Sequence, residues 1–144
     1  RHIVMIMGSY AALRGRAAYT ARPSRALFEG LCARAEGTID TFKPREISNL
    51  MWACAKLGMA PRGELFGKAC GRAEAVVDDF NSQGVSNLMW ACAKLGTDPP
   101  PELFAKLCAR AEVVEHDFKP QGVANMLWAF ARLGMAPPEL FAKL

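Results

Sequence analysis

Arg45, Asn49, Trp52 and Lys56 form a set that returns as Gln83, Asn87, Trp90 and Lys94, and again as Gln121, Asn125, Trp128 and Arg132. At about 100° per residue, steps of four, three and four hold each set on one stripe of an α-helix. Stacked copies of that helix would align the sets into rows of long donors, amides, indoles and cations. Such rows offer a single-stranded nucleic acid stacking surfaces, hydrogen bonds for base edges and partners for phosphates. Arg45, Gln83 and Gln121, with Ser48 and Ser86, lie at the start of the helix, where residues that tune recognition are expected. A second row of cations, Arg34, Arg72 and Arg110, is joined by Lys68, Lys106 and Lys143 one turn away. Simpler readings compete. A repeated Trp can be wedged between adjacent repeats. A repeated Asn can tie its helix to the preceding turn. The arginines can pair with Glu36, Glu74 and Glu112. Residues two apart on a helix do not face each other, so such pairing would have to cross repeats.

Other chemistry finds less support. Cys32, Cys70 and Cys108 share one repeat position, and Cys54 and Cys92 share another. All five fall on apolar stripes, and Phe130 replaces the thiol in the third copy. Without a CxxC pair, and with His2 and His116 far apart, no metal site is expected. Buried free thiols in a reducing compartment are the expectation. His116 precedes Asp117, but the positions equivalent to His116 hold Asp40 and Asp78, so it reads as an exposed, variable helix end. No phosphate-binding glycine loop or nucleophile motif occurs. Neither an enzyme nor a cofactor is expected, and no small-molecule substrate.

The elements that position the stripe follow from a period. SNLMWACAKLG at 48–58 returns unchanged at 86–96 and, relaxed to ANMLWAFARLG, at 124–134. Trp52, Trp90 and Trp128 are 38 residues apart, as are Phe42, Phe80 and Phe118. A fixed step of this size marks stacked units, none able to bury its apolar face alone. The expected units are 23–60, 61–98 and 99–135, with a fourth starting at 136–144. Each reads as two helices. The first carries Leu27, Phe28, Leu31, Cys32, Ala35 and Ile39 on one face and runs to the Phe at 42, 80 or 118. The second follows a short turn, with Asn81 as an N-cap and Pro44 or Pro120 at the first helical position. Gly58, Gly96 and Gly134 end it. Its apolar stripe is Ile47, Leu50, Met51, Cys54 and Leu57; Ala53 and Ala55 leave room for a neighbour. The fold expected is all-α, an α-solenoid of helix-turn-helix repeats.

Half of the 144 residues are apolar, 51%, enough for a core. No apolar run is long enough for a membrane span. The net charge of +4 resides in residues 1–22, which hold Arg1, Arg14, Arg16 and Arg22 and no acid; the remainder is neutral. The arrangement of charge, not its total, must therefore carry any nucleic-acid binding. Residues 1–22 have transit-peptide composition; the alternatives are a degenerate upstream helix or mistranslated flanking sequence.

The 38-residue step, PPPEL at 99–103 and PQGVANMLWAFARLGM at 120–135 together resemble the octotricopeptide repeat. That family builds α-solenoids that bind organellar RNA. Related repeats occur in FAST-kinase-like proteins with a RAP domain and in helical subunits of mitochondrial RNA-editing complexes. The resemblance implies a segment of a longer array that binds single-stranded RNA in a mitochondrion or plastid and acts in transcript processing, stability or translation. Leu103 and Leu140 depart from the Trp that often follows Pro-Pro-Glu in the family. The rival expectation is a protein-interaction scaffold of tetratricopeptide or armadillo type, suggested by the neutral main body.

Overall fold

The computed structural model describes residues 22–134. They form six α-helices and no strand: α1 Arg25–Thr38, α2 Pro44–Leu57, α3 Leu65–Ala75, α4 Ser82–Leu95, α5 Pro101–Val113 and α6 Pro120–Leu133. The odd-numbered helices form one layer and the even-numbered helices the other. The fold is an α-solenoid of helix pairs. Residues 1–21 and 135–144, with the expectations placed on them, lie outside the described residues.

The helix ends follow local chemistry. The Ser24 hydroxyl accepts from the Leu27 amide at 3.1 Å, and the Asn81 side chain accepts from the Gly84 amide at 2.7 Å. Each satisfies an amide that the first turn leaves without a helical partner. Pro44, Pro101 and Pro120 open their helices, where a missing N–H costs nothing. Gly58, Gly96 and Gly134 close α2, α4 and α6 with φ of 70°, 71° and 65°. That left-handed geometry lets the Met59 and Thr97 amides reach back to the carbonyls of Cys54 and Cys92.

The first helices stop short of the phenylalanines. Each gives way to a 3₁₀ turn, Ile39–Thr41, Val77–Asp79 or Glu115–Asp117. The tighter turn satisfies late carbonyls, with the Phe42 amide donating to the Ile39 carbonyl at 3.0 Å. It delivers Phe42 and Phe80 in extended backbone into the core.

The even helices hold the stack together. α2 packs along α4, and α4 along α6, more extensively than the odd helices meet one another. Ala53, Ala55, Ala91 and Ala93 are buried on their flanks, where a larger side chain would hold the axes apart. The stripe Ile47, Leu50, Met51, Cys54 and Leu57 is wholly buried. Leu27 departs from expectation: it is exposed, whereas Leu65 and Leu103 at the same repeat position are buried. Among the described residues no helix pair precedes α1 to cover it.

Two glycine substitutions should move stability in opposite directions. Gly96→Ala forces a Cβ into left-handed backbone and should cost about 1–2 kcal/mol. A Cβ added at Gly71, inside α3, would meet nothing within 4 Å. Gly71→Ala should stabilise by about 0.5–1 kcal/mol through helix propensity. Urea unfolding followed by circular dichroism measures both.

Candidate nucleic-acid interface

Because α2, α4 and α6 lie side by side, their repeated polar stripes fall into columns. Arg45, Asn49, Gln83 and Asn87 line a hollow of ≈ 370 Å³ between the starts of α2 and α4. Asn49, Trp52, Gln83, Asn87, Gln121 and Asn125 line a second hollow of ≈ 780 Å³ running on towards α6. The two share Asn49, Asn81, Gln83 and Asn87 and make one groove across three helices. Eight of the residues expected to touch a ligand are thus brought together, Ser48 and Ser86 among them. The asparagines do not tie the helix to its preceding turn: among the described residues, no side chain or backbone group holds the amides of Asn49, Asn87 or Asn125.

The turns add residues that the helical stripe did not reveal. Lys43, Asn81 and Lys119 occupy one repeat position immediately before the even helices, and all three line the groove. Their 38-residue step was the available signal. Asp79 and Asp117, from the 3₁₀ turns, also line it. The groove therefore mixes cations, acids and amides. Its recognition capacity lies in directional hydrogen bonds more than in net charge.

Beside the groove the indoles form a ladder. The Trp90 and Trp128 ring centroids are 6.3 Å apart with planes tilted by 35°. The Lys56 ammonium bridges Trp52 and Trp90, 5.6 and 5.8 Å from their centroids, and the Arg132 guanidinium lies 5.7 Å from Trp128. Each such contact at an exposed site contributes about 0.5–1 kcal/mol. The tryptophans thus meet across repeats and still keep part of each ring in solvent. Lys56, Lys94 and Arg132 are all exposed.

Several of the expected contact residues already make bonds within the fold. Ser48 and Ser86 are each 2% exposed. The Ser48 hydroxyl donates to the Gly84 carbonyl at 3.0 Å and that of Ser86 to the Gln83 carbonyl at 3.1 Å. Each serine meets the start of the next even helix. An added Cβ at Gly84 would come within 3.3 Å of the Ser48 oxygen, and one at Gly122 within 3.6 Å of the Ser86 oxygen. Both serines lie on the groove floor, where Ser48 bonds across to α4 and Ser86 bonds within α4.

The cations of the odd helices are likewise stitches. Arg72 Nε donates to the Phe42 carbonyl at 2.9 Å, and Arg110 Nε to the Phe80 carbonyl at 2.8 Å. Lys68 pairs with Glu36 at 3.2 Å, and Lys106 with Glu74 at 2.9 Å. Every one of these bonds joins one helix pair to the next. The reason is geometric: the odd helices form the layer away from the groove, so their long cations reach the neighbouring unit. Arg34 is exposed on α1 in that same layer and does not line the groove.

All five cysteines are free thiols and buried. Burial pushes Cys70 up to about 11 and raises Cys32, Cys54 and Cys92 as well. Among the described residues no cluster of three metal-ligating side chains occurs. A thiol held protonated in the fold ionises first in the unfolded chain, whose ordinary value is 9.0. Unfolded chains then bind fewer protons than folded ones, and stability falls as pH rises. Lys68 and Lys106 act with the same sign, because Glu36 and Glu74 raise them by hydrogen bonding and charge. That contribution is complete below the ordinary lysine value and lost as pH passes the raised one. The melting temperature should therefore fall steadily between about pH 9 and 11. Below that range the thiols should resist a disulfide reagent until the chain unfolds; calorimetry and thiol titration check the two effects.

No individual curated protein matches the chain. A family model described as RNA-editing substrate-binding complex 6 protein matches residues 1–144, its whole length. The chain therefore belongs to the RNA-editing substrate-binding complex 6 protein family, which implies a role in an RNA-editing complex.

Proposed function

We propose that this chain binds single-stranded RNA along the face of α2, α4 and α6, as one segment of an RNA-processing factor within an RNA-editing complex. The observation that carries the reading is the groove in which Asn49, Asn87 and Asn125 stand in register with Arg45, Gln83 and Gln121. Amides present a donor and an acceptor together, which suits base edges. The half-exposed indoles offer stacking surface, and Lys56, Lys94 and Arg132 offer phosphate partners. Each unit, 23–60, 61–98 and 99–135, contributes one set of these groups and addresses about one base. The chain acts by binding and not by catalysis. The compartment we propose is the mitochondrion, in keeping with the family's RNA-editing role and with thiols that stay reduced.

The test is fluorescence anisotropy with labelled single-stranded RNAs of about ten nucleotides. Replacing Asn87 and Gln121 with Ala should weaken binding roughly tenfold or more, the loss of one to two directional contacts, and leave the melting temperature unchanged. Arg110→Ala should do the reverse. It should cost about 1.5–3 kcal/mol of stability, as for a hydrogen bond to a charged group, with RNA affinity retained in the folded fraction. With three phosphates neutralised by Lys56, Lys94 and Arg132, log affinity should fall against log salt with a slope of about −2. RNA affinity indifferent to the Asn87 and Gln121 changes would overturn the proposal, and a protein that occupies the groove without competition from RNA would replace it with a scaffold.

A further inference from the structure

The first hollow of the groove, ≈ 370 Å³ between the starts of α2 and α4, receives a cation from one side and an acid from the other. Arg45 belongs to α2, and Asp79 to the 3₁₀ turn that leads into α4; both are exposed. Among the described residues neither side chain makes an ion pair or a hydrogen bond, with the other or with a third group. Asp79 rises from a fixed backbone. Val77 and Phe80 anchor its turn in the core, Arg110 bonds the Phe80 carbonyl, and Asn81 caps α4 directly after it. Arg45 is the second residue of α2, where a cation meets the positive end of the helix dipole and gains its helix nothing. Gln83 and Gln121, at the same repeat position, carry no charge. The guanidinium thus serves neither its own helix nor a described neighbour.

A guanidinium only donates and a carboxylate only accepts. Lining one hollow without pairing, they suit a planar ligand with acceptors on one edge and donors on the next. Guanine has that pattern: O6 and N7 accept, and N1–H and the N2 amino group donate. In a single strand both edges are free. Adenine sets an amino group where the Arg45 fork needs an acceptor. Uracil offers one donor between two acceptors. Cytosine carries its donor and acceptors on a single edge, which would bring Arg45 and Asp79 side by side, and they stand too far apart for an ion pair. A phosphate would be repelled by Asp79. We propose that the first hollow is a guanine subsite, in which Arg45 donates to O6 and N7 and the Asp79 carboxylate accepts from N1–H and the N2 amino group. The subsite presupposes RNA in the groove and names the base that this hollow takes. The second hollow lacks the fork: Gln83 stands there as Arg45 does in the first, and Asp117 as Asp79 does. An amide offers a donor and an acceptor together and does not select guanine.

Anisotropy titrations of the whole chain with labelled uridine decamers, plain or carrying one central guanosine, adenosine or cytidine, test the assignment. One guanosine should tighten binding about tenfold over uridine alone, the weight of one bidentate contact. Adenosine and cytidine should not match it. Two analogues separate the contacts: 7-deazaguanosine lacks the N7 acceptor for Arg45, and inosine lacks the N2 amino group for Asp79. Each should surrender part of the gain. Arg45→Gln, which makes the first hollow resemble the second, should erase the guanosine preference. So should Arg45→Lys, which keeps the charge and loses the planar fork. Both variants should melt as the parent does, because Arg45 is exposed. A guanosine preference that survives either substitution, or inosine bound as tightly as guanosine, would sink the assignment. Equal affinity for all four decamers would sink it too and leave RNA binding itself standing; no binding of any decamer would end both.

Discussion

Close approach of one even helix to the next is the constraint on which the rest of the molecule depends. Alanines on the flanks of α2 and α4 permit it, and Ser48 bonded to the Gly84 carbonyl marks one close approach. Burial of the apolar stripes, alignment of the polar columns and the length of the stitches all follow from that spacing. A bulkier flank would separate the axes, open the core and leave Asn49 and Asn87 lining different surfaces. The apolar packing and the polar groove are two faces of one helix arrangement, and neither could be kept while the other changed.

The indole ladder shows how the two faces meet. Trp52 and Trp90 pack against the core, and all three tryptophans meet a counterpart or a cation. Lys56 fills the interval between Trp52 and Trp90, while Trp90 and Trp128 approach directly. A ligand that stacks on this edge competes with cations already seated there. An adapting contact of this kind favours planar, weakly hydrated groups over isolated phosphates.

Much of this was legible in the residues. The period located the helix pairs, Asn81 and the prolines located helix starts, and Gly58, Gly96 and Gly134 located their ends. The polar stripe named the helix-borne amides of the groove and Arg45, because three- and four-residue steps translate directly into a face. What escaped the sequence were the partners supplied by backbone. Arg72 and Arg110 bond to carbonyls, which every residue has and no letter advertises. Ser48 and Ser86 read as contacts because they stand near the groove, and only the approach of the next helix shows them covered. The acids at Asp79 and Asp117 enter from 3₁₀ turns, whose direction a helical wheel cannot give. Local periodicity assigns a residue to a face, but the neighbour in the stack decides what that face meets.

The stitches share one further property. The bonds of Arg72 to Phe42, Arg110 to Phe80, Lys68 to Glu36 and Lys106 to Glu74 each join adjacent helix pairs, and none reaches past its neighbour. Deformation can therefore be distributed as small rotations at successive joints, so the array behaves as a spring with its stiffness divided among links. Tension applied along the stack would change the pitch of the wall by degrees before any one pair came apart. A flexible polymer lying against it could be met by adjustment of that pitch, with the interior of each pair left intact.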